Sequence, residues 1–402
     1  MKLFEGKGDD VMAMIPLMNV DRQAKSLDSE LVSRVAATIS SGKYILGKEV
    51  EYFENKFAEY CECQYGVGVG NGTDALTIAL KALGIGLGDE VITSAMSFFA
   101  TPEAIARVGA TPVFVDCTKD TFTLDPLHIE EHITSRTKAI IPVHLYGQCA
   151  DMERINKIAK KYHLYVIEDC AQAAGAKIDD KMAGSMGDIS CISFFPTKNL
   201  GGAGDGGMIL TKNKDLYRKC RAFRVHGSGA DGQYTYNSLI KDKNKVDLSA
   251  NPTKYNNYMI GFNSRLDELQ AAILNVKLPY LDKWNNIRNA IADRYNREIT
   301  NINVEKPLVG KNNYHVYYVY VLLVKSQQKF REYLKEKGIT TGVYFPIPLY
   351  KQSAFAELQY TEGEFQNADY VAEHSVAIPM FPELEKTEID YIIDTINSYE
   401  ED

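Results

Sequence analysis

Along much of the chain, short apolar runs alternate with stretches whose apolar residues recur every three or four positions. Glu90-Val-Ile92, Thr111–Val115, Lys138–Val143, Leu164–Glu168 and Ile189–Phe194 are the runs. They are bounded by turn residues and too short for helices. Segments near Thr101–Val108, Pro126–His132 and Met152–Lys161 lie between most of them and carry helical spacing. Strand and helix repeated in this order predict a mainly parallel sheet covered by helices on both faces. Gly207-Met-Ile-Leu-Thr211 follows the last run with no helix between, which predicts an antiparallel neighbour.

Helical patterns also precede this region, over about Ser29–Ser41 and Lys48–Tyr60. Tyr65-Gly-Val-Gly-Val-Gly-Asn-Gly-Thr-Asp74 reads as a glycine-rich turn, and Ala75, Leu76, Ala79, Leu80 and Leu83 continue it as a helix. From Ser228 to Tyr258 the chain is polar and aperiodic, the pattern of a long surface loop. A helix marked by Leu266, Leu269, Ile273 and Val276 resumes beyond Pro279 towards Tyr295, and a strand at Tyr317–Val324 and helices at Gln327–Lys337 and Ile389–Tyr399 complete a smaller α+β unit. The expected division is a lead-in over 1–28, a large domain over 29–275 and a small domain over 276–402.

Composition narrows the function. With 402 residues, 45% hydrophobic and 24% charged, the chain has the make-up of a globular protein of two domains. A net charge of -8 argues against nucleic acid or anionic membrane as a general partner. Seven scattered cysteines lack the paired spacing of a zinc site and read as reduced, buried thiols, so no metal is expected. With no membrane span and no signal-peptide pattern, the expected location is the cytoplasm.

The candidate chemistry centres on Lys198, which sits between Ser193-Phe-Phe-Pro-Thr197 and a run of glycines ending at Gly207. Upstream, Leu164-Tyr-Val-Ile-Glu-Asp169 ends a predicted strand on a carboxylate. An amine near an acid in an α/β frame suits pyridoxal phosphate: the amine is the attachment point, and the acid keeps the pyridine nitrogen protonated. Gln172 lies within reach of the ring hydroxyl. Gly72 and Thr73 open a helix whose exposed amides suit a phosphate, with Ser193 as a hydroxyl donor. The rival dinucleotide fingerprint fails, because the glycines give only Gly70-x-Gly72-x-x-Ala75. Phe98 is a candidate to stack on the ring. His144 and Tyr146 close another strand and are candidates for the substrate pocket.

Six motifs together resemble the DegT/DnrJ/EryC1/StrS sugar aminotransferases. They are Asn71-Gly-Thr-Asp-Ala-Leu76, Pro142-Val-His-Leu-Tyr-Gly147, Ile167-Glu-Asp-Cys-Ala-Gln172, Ser193-Phe-Phe-Pro-Thr-Lys-Asn-Leu200, Gly204-Asp-Gly-Gly207 and Gly261-Phe-Asn-Ser-Arg-Leu-Asp-Glu-Leu-Gln-Ala-Ala272. The likeness implies the aspartate-aminotransferase fold (fold type I), with a seven-stranded sheet and a smaller C-terminal domain. It implies pyridoxal 5'-phosphate on Lys198, with Asp169, Gln172, Gly72, Thr73, Ser193 and Phe98 as cofactor contacts. It also implies a homodimer in which Asn263 reaches the other subunit's cofactor phosphate. The reaction implied is amino transfer from glutamate to a nucleotide-linked keto sugar, with Arg224, His226 and Tyr344 as further substrate candidates. The wording around Asn263 resembles branches acting on 3-keto sugars. The alternatives are a C-4 or UDP-linked acceptor, a cyclitol, or a cofactor-binding regulator without turnover. The related dehydratases carry histidine where this chain has Lys198, which argues against them.

Overall fold

The structure, a computed structural model, describes residues 14–239 and 255–401. Seven five-residue strands form its large sheet: β1 (Tyr65–Val69), β2 (Glu90–Ser94), β3 (Thr111–Val115), β4 (Thr137–Ile141), β5 (Tyr165–Asp169), β6 (Ile189–Ser193) and β7 (Gly207–Thr211). Their order is β1-β7-β6-β5-β4-β2-β3. The pairs from β3 through β6 are parallel, and β7 is antiparallel to both β6 and β1. The mainly parallel sheet and its antiparallel seventh strand are therefore as the pattern predicts.

Alternation along each strand sends neighbouring side chains into different layers. Val91, Ile141, Ile167 and Ile209 pack with the helices Gly72–Ala82, Ala100–Arg107 and Lys214–Phe223. On the opposite face, Ile92, Ile140 and Val166 meet the helix Met152–Tyr162, while Ile192 and Met208 meet Phe53 and Phe57 of the helix Lys48–Tyr60. With both faces covered, β2 is buried at every position.

A second, antiparallel sheet joins Val304–Glu305, Tyr320–Val324 and Ser375–Ile378. Its core includes Tyr295 of the helix Leu281–Glu298, Phe330 and Leu334 of Gln327–Glu336, and Ile392 and Ile396 of Lys386–Asn397. Ile15, from the N-terminal lead-in, is in the same core, and its backbone exchanges hydrogen bonds with Gly338 and Thr340. None of the described helices is long and apolar enough to cross a membrane.

Three local expectations change. Tyr65–Val69 is an edge strand, because its two glycines let elements approach that any side chain would hold apart. A Cβ at Gly66 would lie 2.6 Å from the Glu54 carbonyl oxygen, and one at Gly68 would lie 2.9 Å from Leu266 Cβ. Within the polar stretch 228–258, Gly229–Leu239 is a helix that packs on Lys214–Phe223, and Arg218 pairs with Asp231 at 2.9 Å. Positions 240–254 of that stretch lie outside the described residues. Pro126–His132 forms two short 3₁₀ turns in place of one helix.

The packing at β1 predicts that Gly66→Ala destabilises the protein by about 1–3 kcal/mol, since the Glu54 backbone has to move. A urea titration should show a lower midpoint with an unchanged slope.

Candidate active site

A cavity of about 430 Å³ opens beyond the carboxyl ends of β4, β5 and β6, with Val143, Asp169 and Ser193 in its wall. Strand ends are where open α/β sheets bind ligands. Parallel pairing sets Asp169, the last residue of β5, beside Cys191 of β6. Asp169 is buried, and two groups fix its carboxylate: Thr101 Oγ1 donates to Oδ2 at 2.8 Å, and the Ala171 amide donates to Oδ1 at 3.1 Å. Burial pushes its pKa up, only partly opposed by the Thr101 and Ala171 hydrogen bonds and the nearby Lys198 charge.

Lys198 enters the cavity from the segment after β6. Phe194 anchors that segment, with its ring edge-on to Phe53 at 5.1 Å and Phe57 at 5.2 Å. The Lys198 amide donates to Phe195 O at 2.8 Å in a tight turn. Its ammonium lies 4.3 Å from the centre of the Tyr318 ring, a cation–π contact. Tyr318 is in turn held by its amide, which donates to Tyr146 O at 2.9 Å.

The opposite wall is the start of the helix Gly72–Ala82. Asn71 caps it by accepting from the Asp74 amide at 2.8 Å. The amides of Gly72 and Thr73, at the first two helical positions, lack partners within the helix. The helix start approaches β6 closely: a Cβ at Gly72 would stand 2.9 Å from Ser193 Cβ. A Cβ at Gly207 would stand 2.5 Å from the Asn71 carbonyl. Gln172 accepts from the Tyr146 amide at 2.7 Å through Oε1, so its NH₂ is the part free to meet a ligand. Phe98, 56% exposed, stands at the rim against Phe345 with ring centres 5.6 Å apart. An amine, a buried acid, an amide donor and a helix N-terminus around one small apolar cavity match the four faces of pyridoxal phosphate. The residues present fit that cofactor.

Residues 25–397 match the DegT/DnrJ/EryC1/StrS aminotransferase family. The chain belongs to this family. It is 43% identical to the dTDP-3-amino-3,6-dideoxy-alpha-D-galactopyranose transaminase of Aneurinibacillus thermoaerophilus, over 96% of this chain and 99% of that protein. It is 44% identical to a protein of Geobacillus stearothermophilus named pleiotropic regulatory protein, over 96% and 98% of the two chains. Other relatives are named as aminotransferases of UDP- and dTDP-linked sugars. Among solved structures, S. venezuelae DesV superimposes with a TM-score of 0.88 at 35% identity, over 96% of this chain and 98% of that one. The chain is thus an aminotransferase of fold type I, and its cofactor is pyridoxal phosphate.

Within the aminotransferase cavity the structure brings together Lys198, Asp169, Gln172, Gly72, Thr73, Ser193, Phe98 and Tyr344. Burial, with Tyr318 alongside, raises the Tyr344 phenol to about 12, so it stays protonated. Four substrate candidates, His144, Tyr146, Arg224 and His226, do not line the cavity. His144 is fully buried: its Nδ1 accepts from the Ala150 amide, so Nε2 carries the hydrogen and donates to Glu168 at 2.9 Å. Tyr146 packs its ring against Phe122 and donates its hydroxyl to the Tyr344 carbonyl. Arg224 is held by Glu54 at 2.5 Å and Gly68 O at 2.9 Å, which ties β1 to the helix Lys48–Tyr60. His226 and Asn263 are both exposed and lie outside this cavity, on neighbouring backbone joined by the Val225–Asn263 bridge.

Thr101, Tyr318, Phe195 and Asp205 belong to the site's surroundings without having been foreseen. Thr101 reads in sequence as a helix residue, and Tyr318 as part of a strand. Asp205 had a signal, since it lies inside the Gly204-Asp-Gly-Gly207 motif. The clustered His144, Glu168 and Cys170 carry metal-ligand atoms. Their lone pairs serve the fold, however: Glu168 accepts from the amides of Gly184, Met186 and Gly187 as well as from His144.

Two outcomes follow for the aminotransferase. Arg224→Leu strands Glu54 beside β1 and should cost about 3–5 kcal/mol of stability, with the KM of the folded fraction unchanged. Denaturant titration beside steady-state kinetics checks both parts. Asp169 holds its proton more tightly folded than unfolded, so the cofactor-free wild type loses stability as pH rises through and above the carboxylate range. Cofactor-free Asp169→Asn should therefore be more stable than wild type at neutral pH, the gain vanishing towards pH ~4. Thermal melts across pH check the sign.

Proposed function

We propose that this aminotransferase moves the amino group of glutamate to a nucleotide-diphosphate-linked keto-deoxysugar, with a dTDP-3-keto-6-deoxyhexose as acceptor. The product is an amino sugar for a polysaccharide or glycoconjugate. The observation that carries the reading is the convergence of Lys198, Asp169, Gln172 and the amides at Gly72 and Thr73 on one cavity. The name of the 43% identical transaminase, acting on a dTDP-linked 3-amino sugar, supports the acceptor.

When bound, pyridoxal phosphate supplies an aldehyde for amine attachment and a ring that accepts electrons. Lys198 would be the anchoring amine, and its free amine the base that takes a proton from the donor's Cα in the first half of the reaction and delivers one to the sugar carbon in the second. Asp169, desolvated and fixed by Thr101 and Ala171, holds a proton on the pyridine nitrogen. Gly72, Thr73 and Ser193 bind the phosphate, Gln172 the ring hydroxyl, and Phe98 covers one ring face. Phe195 and Tyr344 shape the side on which substrates arrive.

The functional unit in this reading is a homodimer. Among the described residues the helix Asp28–Ser41 buries only Thr38 and leaves Val32 61% and Ile39 52% exposed. Together with Val35, Pro196 and Ala203 it lines an apolar groove of about 590 Å³ beside the Lys198 segment. In such a dimer the exposed Asn263, which lies outside its own cavity, would be the residue to reach the partner's phosphate site.

Adding pyridoxal phosphate to the wild type should give a visible band that glutamate replaces with a shorter-wavelength one, and dTDP-3-keto-6-deoxyhexose should restore the first. Lys198→Ala should form neither the visible band nor product, with turnover reduced by about 10²-fold or more. Faster restoration by a UDP-linked or 4-keto sugar would replace the acceptor. A visible band indifferent to every amino donor would favour a cofactor-binding regulator; the 44% identical relative is named a pleiotropic regulatory protein.

A further inference from the structure

We infer that Asn285, outside the cavity, is a positioning residue that fixes Lys198 relative to Asp169 and Gln172. This inference rests on the reading of Lys198 as the anchoring amine. Asn285 lies on the helix Leu281–Glu298 and is fully buried. Its Nδ2 donates to Ala174 O at 3.0 Å, two residues past Gln172, and its Oδ1 accepts from Asn199 Nδ2 at 2.8 Å, one residue past Lys198. The backbone leaves space for this amide, since a Cβ at Gly175 would lie 2.5 Å from Asn285 Nδ2.

The bonds continue into a closed circuit. Asn199 Nδ2 also donates to Val316 O at 2.9 Å, two residues before the Tyr318 ring that meets Lys198. The Tyr318 amide donates to Tyr146 O, and the Tyr146 amide donates to Gln172, which leads back to Ala174. Three loops from distant parts of the sequence, carrying Lys198, Gln172 and Tyr318, are thus tied by two side-chain amides. Donors and acceptors fix both amide orientations: Asn285 has to present oxygen to Asn199, so Asn199 has to present nitrogen. That leaves Asn199 Oδ1 buried with no hydrogen-bond partner. A buried orphan is a cost a purely structural amide would avoid by becoming apolar. Two residues beyond Asn199, the Lys277 side chain donates to Gly201 O at 2.8 Å and holds the same segment. Asn289 is the natural control. It sits one turn along the helix, and its amide donates to Asn285 O and to His315 O on the Tyr318 loop, not to the segments carrying Lys198 and Gln172.

The test compares Asn285→Ala, Asn199→Ala, their double variant and Asn289→Ala in the full-length chain. Without cofactor, hydrogen exchange of 195–202 and 171–176 should quicken about tenfold in Asn285→Ala and stay near wild type in Asn289→Ala. At saturating pyridoxal phosphate, borohydride trapping on Lys198, read by mass spectrometry, should slow about tenfold or more, with kcat falling and KM little changed. The double variant should lose no more than the worse single one, because both cut one circuit. Wild type that never traps cofactor on Lys198 would overturn the anchoring role itself. Trapping at Lys198 in wild type, with Asn285→Ala and Asn289→Ala alike in exchange and trapping, would overturn the positioning role alone. Should Asn285→Ala not fold, Asn199→Ala decides the same question from the other end.

Discussion

The parallel register of β5 and β6 is the constraint on which the site depends. Because Asp169 stands beside Cys191, the acid and the segment carrying Lys198 leave the sheet at the same edge and in the same direction. An antiparallel pair would send them to opposite ends. The strand β7 then has to return antiparallel, and its first residue, Gly207, passes close enough to Asn71 to bring the helix start at Gly72 to the same edge. One sheet edge thus gathers an amine, an acid and a ring of backbone amides from stretches far apart in the chain.

Burial gives these groups their chemical character. Asp169 is removed from water and partly compensated by one hydroxyl and one amide, so its charge lacks a full complement until a cation arrives. A protonated pyridine nitrogen is such a cation. On the proposed reading of Asp169 as the pyridine partner, the desolvation that raises its pKa would favour the cofactor's protonated form. Phe98, Phe195 and Tyr318 give the cavity an apolar wall.

Polar residues near the site divide by what they touch. His144, Tyr146 and Arg224 end strands or helices as binding residues do, yet each spends its hydrogen bonds inside the fold. Asn199 and Asn285 look in sequence like ordinary amides on a loop and a helix, yet they span the gap between the cavity's loops. Proximity in sequence to a catalytic motif was a poor guide to contact with a ligand; the bonding partners decided it.

The sequence by itself determined the fold class and the family, and it singled out Lys198, Asp169, Gln172, Gly72, Thr73, Ser193 and Phe98, which the fold gathers around one cavity. Strand-length apolar runs alternate with helical periodicity, and the motifs carry their chemistry in residues a few positions apart. It misread Tyr65–Val69 as a turn, because a strand bearing glycines shows its nature only against the helix that packs on it. It also left out Thr101, Tyr318 and Asn285. Their roles come from hydrogen bonds and ring contacts across 68, 120 and 86 positions of chain. Such contacts are set by how strands, helices and loops pack, and no local pattern encodes them. Tertiary structure alone decided which polar side chains face the cavity and which hold the fold, since that depends on partners brought close only by folding.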